Sequence, residues 1–445
     1  MCANLPVVSQ SPKSILQRAW RRRGVPALSV LLSLGRGTSK GAAGDIDTGF
    51  VANAGSSAVV LYSPNLQPDG AILLSGHFSS INGTARNLMA RVGTSGSPEA
   101  LFNPNGNGYA VYASAVMPDG KVVVAGEFST VGGIPRSNVA RINADGTPDA
   151  AFNPVSGALT FAMTPQRDGR MIVGGYFTTM GGVGRDHVAR LNADGSVDTG
   201  FAAAANDWVR SPVVQPDGRI ILGGNFTVLN GTARNNLGRV LANGELDAAF
   251  LPAVDGPVYC VALQPDGRIL IGGSFSTVGG ASHKSIARLA ADGTADSTFT
   301  ATANNTVRSI ALQADGKILL GGAFTSVNGS ARNRLVRLNA GGTLDTTFNA
   351  DLNNTVWSVM LQADGRVLAG GEFTSASGTA RANCARLLND AATQSLAAPG
   401  WTRIEWLRGG SSPEAQEVTF EFSESESDPW TPLGNGVRIT GGWEL

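Results

Sequence analysis

An Asp-Gly pair recurs at Asp69, Asp119, Asp168, Asp217, Asp266, Asp315 and Asp364, first after 50 residues and then five times after 49. Seven copies of one unit, filling residues 45–390, restrict the chain to a solenoid, an array or a propeller. A unit of that size buries its apolar face only against its neighbours. The copy from Val258 to Phe299 alternates short β-branched runs with turn residues and shows no 3.6-residue period, so it is built of strands. Four are expected: Val258–Leu263, Arg268–Phe275, Ser285–Leu289 and Thr294–Phe299. In Gln264-Pro265-Asp266-Gly267, proline sets the first turn dihedral and glycine takes the positive φ that closes a short hairpin. Ala291-Asp292-Gly293 repeats the device. These aspartates are therefore turn formers, and with no D-x-D-x-D-G ladder beside them no metal is expected.

Composition narrows the function classes. Glycine supplies 58 of 445 residues without a G-X-Y period, which excludes collagen and suits a turn-rich β protein. Thirty-four Lys+Arg balance thirty-four Asp+Glu, and no basic block runs through the repeats, which argues against a nucleic-acid partner. The three cysteines, Cys2, Cys260 and Cys384, form no C-x-x-C pair and cannot staple a chain this long. No G-x-S-x-G, P-loop, H-E-x-x-H or dinucleotide fingerprint is present, so no cofactor is expected. His77, His187 and His283 come from three different copies and offer no metal trio.

A repeated ion pair follows from hairpin arithmetic. Residues opposed across an antiparallel hairpin have numbers of constant sum, and a loop centred on Asp292 opposes Arg288 to Asp296. The same relation pairs Arg91 with Glu99, Arg141 with Asp149, Arg190 with Asp198, Arg239 with Asp247, and Arg337 with Asp345. In the seventh copy, Gln394 stands where the acid that would answer Arg386 belongs. The missing piece lies at the other end, where Ala42–Phe50 echoes Ala340–Phe348 and brings Asp47. An orphan base and an orphan acid at opposite ends predict that the ends meet. The expected fold is all-β: a seven-bladed β-propeller of four-stranded blades, closed by an N-terminal strand, a closure that removes exposed sheet edges.

The Q-P-D-G-[RK]-[IV]-x-[IVL]-G-G-x-F core followed by A-R-L-N-x-D-G-x-x-D-x-x-F resembles the bacterial delta-60 repeat β-propeller family over residues 45–390. Departures are mild: Arg167 replaces the proline in the third copy, and Ala314 and Ala363 replace it in the sixth and seventh. The resemblance implies a bacterial protein, exported or surface-associated, and carries no catalytic residues to transfer.

The flanks differ from the repeats. Residues 1–44 form a leader in which the basic stretch Lys13–Arg23 precedes the apolar run Val25–Leu34, the order of an export signal. Pro26 and the late position of that run weigh instead for a disordered leader. The run is too short to span a bilayer, so no transmembrane segment is expected. Residues 391–445 read as a small-residue linker, Ser395–Gly400, and then a small β-sandwich-like module, with strands at Trp401–Leu407 and Val418–Ser423. Ser423–Trp430 weakly resembles an Asp-box hairpin, and the acidic run Glu421–Asp428 reads as a solvated turn.

Repeated residues build the ring, so a single site must lie in the exceptions. One set begins strand one of each copy: Tyr62, Tyr112, Phe161, Arg210, Tyr259, Arg308 and Trp357. Aromatic rings mixed with guanidinium groups suit sugars or anionic ligands; the structural alternative is packing between blades. A second set precedes the repeated phenylalanine: His77, Glu127, Tyr176, Asn225, Ser274, Ala323 and Glu372. Closure would gather Glu372, His77 and Glu127 into one arc fit for acid–base work, against the alternative of solvated polar residues. A third set, Arg86, Arg136, Arg185, Arg234, Arg332 and Arg381 with His283 and Lys284, either makes a basic rim or ties down its own loops. The expected function is a non-enzymatic, secreted or surface binding scaffold, monomeric, with a glycan or protein ligand at one face. The alternative is a propeller lyase, lactonase or glycoside hydrolase using His77, Glu127 and Glu372.

Overall fold

The computed structural model describes residues 28–30, 41–55, 60–67, 69–400, 403–422 and 431–445, and every regular element among them is a β-strand. The basic stretch of the leader and the Asp-box-like segment lie outside the described residues. The chain is an all-β propeller of seven repeats. In the fifth, Val258–Leu263 pairs antiparallel with Ile269–Gly273, which pairs with Ile286–Leu289. The fourth strand is shorter than its sequence pattern suggests, shrinking to the bridge Leu289↔Ala295. Asp296 causes this: its Oδ1 accepts the Thr298 amide at 2.9 Å, and its carbonyl accepts Phe299 N at 3.1 Å, so the chain turns out of the sheet. An additional small hairpin, Thr277–Val278 with Ala281–Ser282, fills the connection between strands two and three. The second repeat extends its first hairpin as two continuous strands, Gly106–Val116 with Val122–Val131.

That turn buries its phenylalanine. Phe50, Phe102, Phe152, Phe201, Phe250, Phe299 and Phe348 are all within 2% of full burial. Apolar faces meet between repeats: Cys260, Ala262 and Leu270 of the fifth share one cluster with Val307, Ile310 and Leu320 of the sixth. Met360, Leu368 and Cys384 of the seventh share another with Leu61, Ile72 and Leu74 of the first. Each fully buried valine, leucine, isoleucine or methionine among these contributes about 1.5–3 kcal/mol relative to exposure.

The arginine of strand three is engaged on three sides. Nε contacts the carboxylate at 2.9 Å for Arg141–Asp149, 2.8 Å for Arg190–Asp198, 2.7 Å for Arg239–Asp247, and 2.8 Å for Arg288–Asp296 and Arg337–Asp345. Arg91–Glu99 is looser at 3.2 Å. The guanidinium stacks on the buried phenylalanine, at 4.5 Å for Arg239 over Phe250. Its Nη1 donates into the next repeat, from Arg141 to Ala193 O at 2.6 Å and from Arg288 to Ala340 O at 2.8 Å. Arg386 has the same three partners at the far end of the chain: Asp47 at 2.8 Å, the Phe50 ring at 4.5 Å, and Thr94 O at 2.8 Å. Ile46 bridges Leu387, and Asn383 Nδ2 donates to Ala54 O at 3.1 Å.

Beyond the repeats, Ala392–Gly400, Arg403–Gly410, Gly442–Glu444 and Val437–Ile439 pair in that order, with Leu28–Val30 on the outer edge. Ser395–Gly400, read from its small residues as a linker, is therefore strand. Leu396 lies opposite Trp406 and joins Val418, Phe420 and Trp443 in a separate apolar cluster, which holds the segment in the sheet. The chain from 410 to 417 docks against the end of the propeller where strand one finishes. Glu414 N donates to Leu312 O at 2.8 Å, Gln416 Nε2 to Leu263 O at 2.8 Å, and Arg167 pairs with Glu417 at 2.5 Å.

Candidate functional site at the central collar

Strand one carries a β-bulge in each repeat. Val258 faces Gly273 and Cys260 faces Gly272, which leaves Tyr259 as the extra residue. The same register shift isolates Tyr112, Phe161, Arg210, Arg308 and Trp357. In the first repeat, Tyr62 N and Ser63 N both donate to Ser75 O. A bulge re-aims the extra side chain out of the ladder alternation. The double glycine opposite makes the bulge possible: a Cβ on Gly273 would sit 2.1 Å from Pro257 O.

The seven bulge residues touch in sequence. Ring centroids lie 5.1 Å apart for Tyr62–Tyr112 and 5.1 Å for Tyr112–Phe161. Arg210 lies over Phe161 at 5.0 Å and over Tyr259 at 5.3 Å. Arg308 lies over Tyr259 at 5.3 Å and over Trp357 at 3.7 Å, and Trp357 meets Tyr62 edge-on at 5.3 Å. Tyr62, Tyr112 and Phe161 are buried, whereas Arg210, Tyr259, Arg308 and Trp357 are half-buried. Three members thus act as packing in the floor and four reach solvent.

The second set stands behind the first at a constant offset. Tyr112 Oη donates to Glu127 at 3.3 Å, Arg210 Nε to Asn225 Oδ1 at 2.7 Å, and Trp357 Nε1 to Glu372 Oε1 at 2.9 Å. The other oxygen of Glu127 and of Glu372 has no hydrogen-bond partner among the described residues. His77 stacks on Tyr109 at 4.5 Å, its Nδ1 is buried without a partner, and no hydrogen bond joins it to either glutamate. Tyr176 is exposed and packs on Trp208 at 5.2 Å. Ser274 is exposed and Ala323 half-buried.

Charge divides around the collar. Burial, with Glu127 next, pushes the Tyr112 hydroxyl far above its ordinary value. Burial, then Tyr109 and Glu372, does the same to Tyr62, so both remain neutral donors. Burial lowers Arg210 to about 10, and neighbouring Arg308 pulls in the same direction. Arg210 still carries its charge at neutral pH. Among the described residues no carboxylate pairs with it. Carboxylates therefore stand behind Tyr112 and Trp357, and guanidinium groups flank Tyr259.

Two contributors escape a reading of the bulge positions alone. Tyr109, 49% exposed, stands on the extended hairpin of the second repeat; Trp208 lies under Arg210 at 4.3 Å. The odd insertion Asn105-Gly106-Asn107-Gly108 is the signal that marks the first. The loop arginines bond backbone carbonyls, as in Arg136 Nη2 to Asp149 O and Ala150 O, both at 3.1 Å, and Arg86 Nη2 to Glu99 O at 2.6 Å. A separate cleft of about 210 Å³ lies at the opposite end of strand one, between Val213, Val261 and Leu263 and the docked Gln416 and Glu417.

Seven stretches match the family described as Domain of unknown function (DUF5122) beta-propeller: residues 67–106, 118–152, 166–201, 215–250, 264–299, 313–348 and 362–390. No curated protein matches the sequence. Among solved structures, the WD40 beta propeller domain of Doa1 has 12% identity and a TM-score of 0.49, covering 76% of this chain and 95% of that chain. The extracellular domain of BT4673 from B. thetaiotaomicron has 13% identity and a TM-score of 0.48, covering 80% of this chain and 45% of that chain. Virginiamycin B lyase from Staphylococcus aureus has 12% identity and a TM-score of 0.48, covering 75% of this chain and 96% of that chain. Likeness at these identities is one of fold alone. No helix among the described residues is long and apolar enough to cross a membrane.

Proposed function

The chain belongs to the DUF5122 beta-propeller family, and we propose that it is a closed ring of seven blades acting as a non-enzymatic binding scaffold, with the collar as its ligand-contacting mouth. Closure is supported by Arg386, whose partners Asp47, Phe50 and Thr94 repeat at the ends of the chain what Arg141 to Arg337 do between neighbours. Binding is supported above all by one observation: the collar presents half-buried cationic and aromatic side chains beside exposed Tyr109 and Tyr176. A purely structural ring would not need Arg210 there, because desolvating a guanidinium whose hydrogen-bond partner is the neutral Asn225 costs stability. Secretion or surface display fits such a scaffold, and residues 391–445 serve as a module at the opposite end, between propeller and whatever it is displayed on.

The ligand of this mouth is a glycan or a protein side-chain cluster that stacks on rings and accepts from Arg210 and Arg308. Screening the purified protein on a glycan array tests this, with Trp357→Ala and Arg308→Gln as companions. At least one glycan is expected to bind and to weaken about tenfold in each variant. Binding that is unaffected by both, or no binding to any glycan or protein, overturns the reading. An enzymatic role is favoured by one arrangement: Glu127 and Glu372 bond Tyr112 and Trp357, both of which touch Tyr62. Turnover of a bound glycan, abolished by Glu127→Gln or Glu372→Gln with binding retained, would select that role instead.

A further inference from the structure

We infer that the second repeat holds a subsite for an amino sugar, whose ammonium group donates to the open oxygen of Glu127 while its ring lies on Tyr109. This rests on the binding reading above and names a ligand group for one side of the mouth. The subsite begins with the insertion Asn105-Gly106-Asn107-Gly108, which lengthens the first Asp-Gly interval by one residue over the other five. Here the strand carries two bulges. Ala113 faces Ala125, Val111 faces Gly126, Ala110 faces Glu127 and Gly108 faces Phe128, so Tyr112 and Tyr109 are both extra residues. Glycine permits the second bulge, because a Cβ on Gly108 would sit 2.4 Å from the Phe128 Cα. Two phenols are thereby re-aimed on either side of Ala110, the residue opposite Glu127.

Glu127 is a half-buried anion without a cation. Its Oε2 accepts only the Tyr112 hydroxyl, at 3.3 Å, and its Oε1 has no partner among the described residues and is open to solvent. One long bond from a neutral donor leaves a carboxylate among rings undersatisfied, and a charged N–H donor answers it better than a hydroxyl does. Burial above all keeps Tyr62 and Tyr112 protonated, so the neighbouring phenols bring no positive charge. Glu372 bonds Trp357, and Tyr62 and Tyr112 stand between Trp357 and Glu127, so the subsite uses Glu127 alone. Tyr109 decides what carries the ammonium. Its ring is 49% exposed although His77 packs on it at 4.5 Å, which makes an open platform rather than a slot. A flat platform meets the face of a sugar ring and attracts the adjoining cation, whereas a thin lysine chain would need walls on both sides. Arg210 lies over Phe161, the next ring after Tyr112, and a row of ammonium groups would meet it with like charge. A glycan with one free amine among neutral sugars satisfies both.

The experiment is calorimetric titration of the full chain with chitin trisaccharides carrying one free amine, at each position in turn. The fully acetylated trisaccharide and a lysine tripeptide with blocked ends are the comparisons. At least one mono-amine isomer is expected to bind about tenfold or more tightly than its acetylated parent, since acetylation removes a charged hydrogen bond. Glu127→Gln keeps an acceptor for Tyr112 and should bring the two to equal affinity. Tyr109→Ala leaves Glu127 in place and should weaken the amine form about tenfold. Both variants are checked for an unchanged melting temperature. Equal binding of amine and acetylated forms, a preference that survives Glu127→Gln, or binding of the lysine peptide alone overturns this inference while leaving a binding mouth intact. Absence of binding by every trisaccharide overturns it too, and the glycan array then decides the binding reading by itself.

Discussion

At the scale of single residues, the repeated arginine does more than a surface ion pair, which is worth about 0–1 kcal/mol. Arg337 is wholly buried, and Asp345 and Asp390 both lie within 3 Å of its guanidinium. Removing one partner of such a pair leaves an uncompensated buried charge, which costs about 3–5 kcal/mol. The acids respond in kind. Hydrogen bonds, first from Lys121 and then from Arg141, hold Asp149 down at about 2; the Thr298 hydroxyl, and after it Arg288, hold Asp296 at about 2. Asp198 and Asp247 are lowered as well, against burial, by Arg190 and Arg239, and Asp345, against burial, by the Thr347 hydroxyl and Lys317 and then by Arg337. A carboxyl whose folded value lies below its unfolded value of 3.8 stabilises the fold above that pH and loses the contribution as pH falls through the folded value. Urea midpoints should therefore be flat from pH 7 to about 4.5 and drop steeply between about 4 and 2. A midpoint independent of pH across that window would show that these contacts add nothing.

At the scale of elements, the hairpin turns and the docked C-terminal segment meet at one glycine. Gly365 and Gly267 occupy equivalent turns at φ +90° and +83°, so alanine strains either by roughly 1–2 kcal/mol. A Cβ at Gly267 meets nothing within 4 Å, whereas one at Gly365 lies 1.9 Å from Ser411 Oγ. Gly365→Ala should cost about 1–3 kcal/mol more than Gly267→Ala and expose the 410–417 segment to protease; equal melting temperatures would mean the segment does not dock there. Strands one to three were legible in the chain because their period-2 runs end at Asp-Gly turns. The fourth was over-read, since Thr294–Phe299 looks like a strand while the Asp296 side chain bends it away from the ladder after one bridge. Ser395–Gly400 was under-read for the opposite reason: its small residues suggest a linker, and only the distant Trp406 and Trp443 make it a strand.

At the scale of the whole molecule, the collar was legible as a list of exceptions to the repeat, because equivalent positions that differ in chemistry stand out against an invariant frame. What the list lacked was depth. The charges of Arg210 and Arg308 mark their end of the strand as reaching water, but nothing in the sequence separates buried Tyr62, Tyr112 and Phe161 from half-buried Tyr259 and Trp357. Tyr109 and Trp208 were hidden by lying just off the repeat register. Every one of these placements depends on the first and last repeats being neighbours. The direct measurement is cross-linking of Ile46→Cys with Leu387→Cys in the otherwise intact chain. Ile46 and Leu387 form a bridge flanked by Asp47 N to Arg386 O at 2.8 Å and Leu388 N to Asp45 O at 2.8 Å. Such a non-hydrogen-bonded pair brings Cα atoms to about 4.5 Å, within disulfide range. A closed ring predicts quantitative intramolecular disulfide formation under mild oxidation and a raised melting temperature that reduction reverses. Thiols that stay free, or that cross-link only between molecules, would contradict closure and with it the collar.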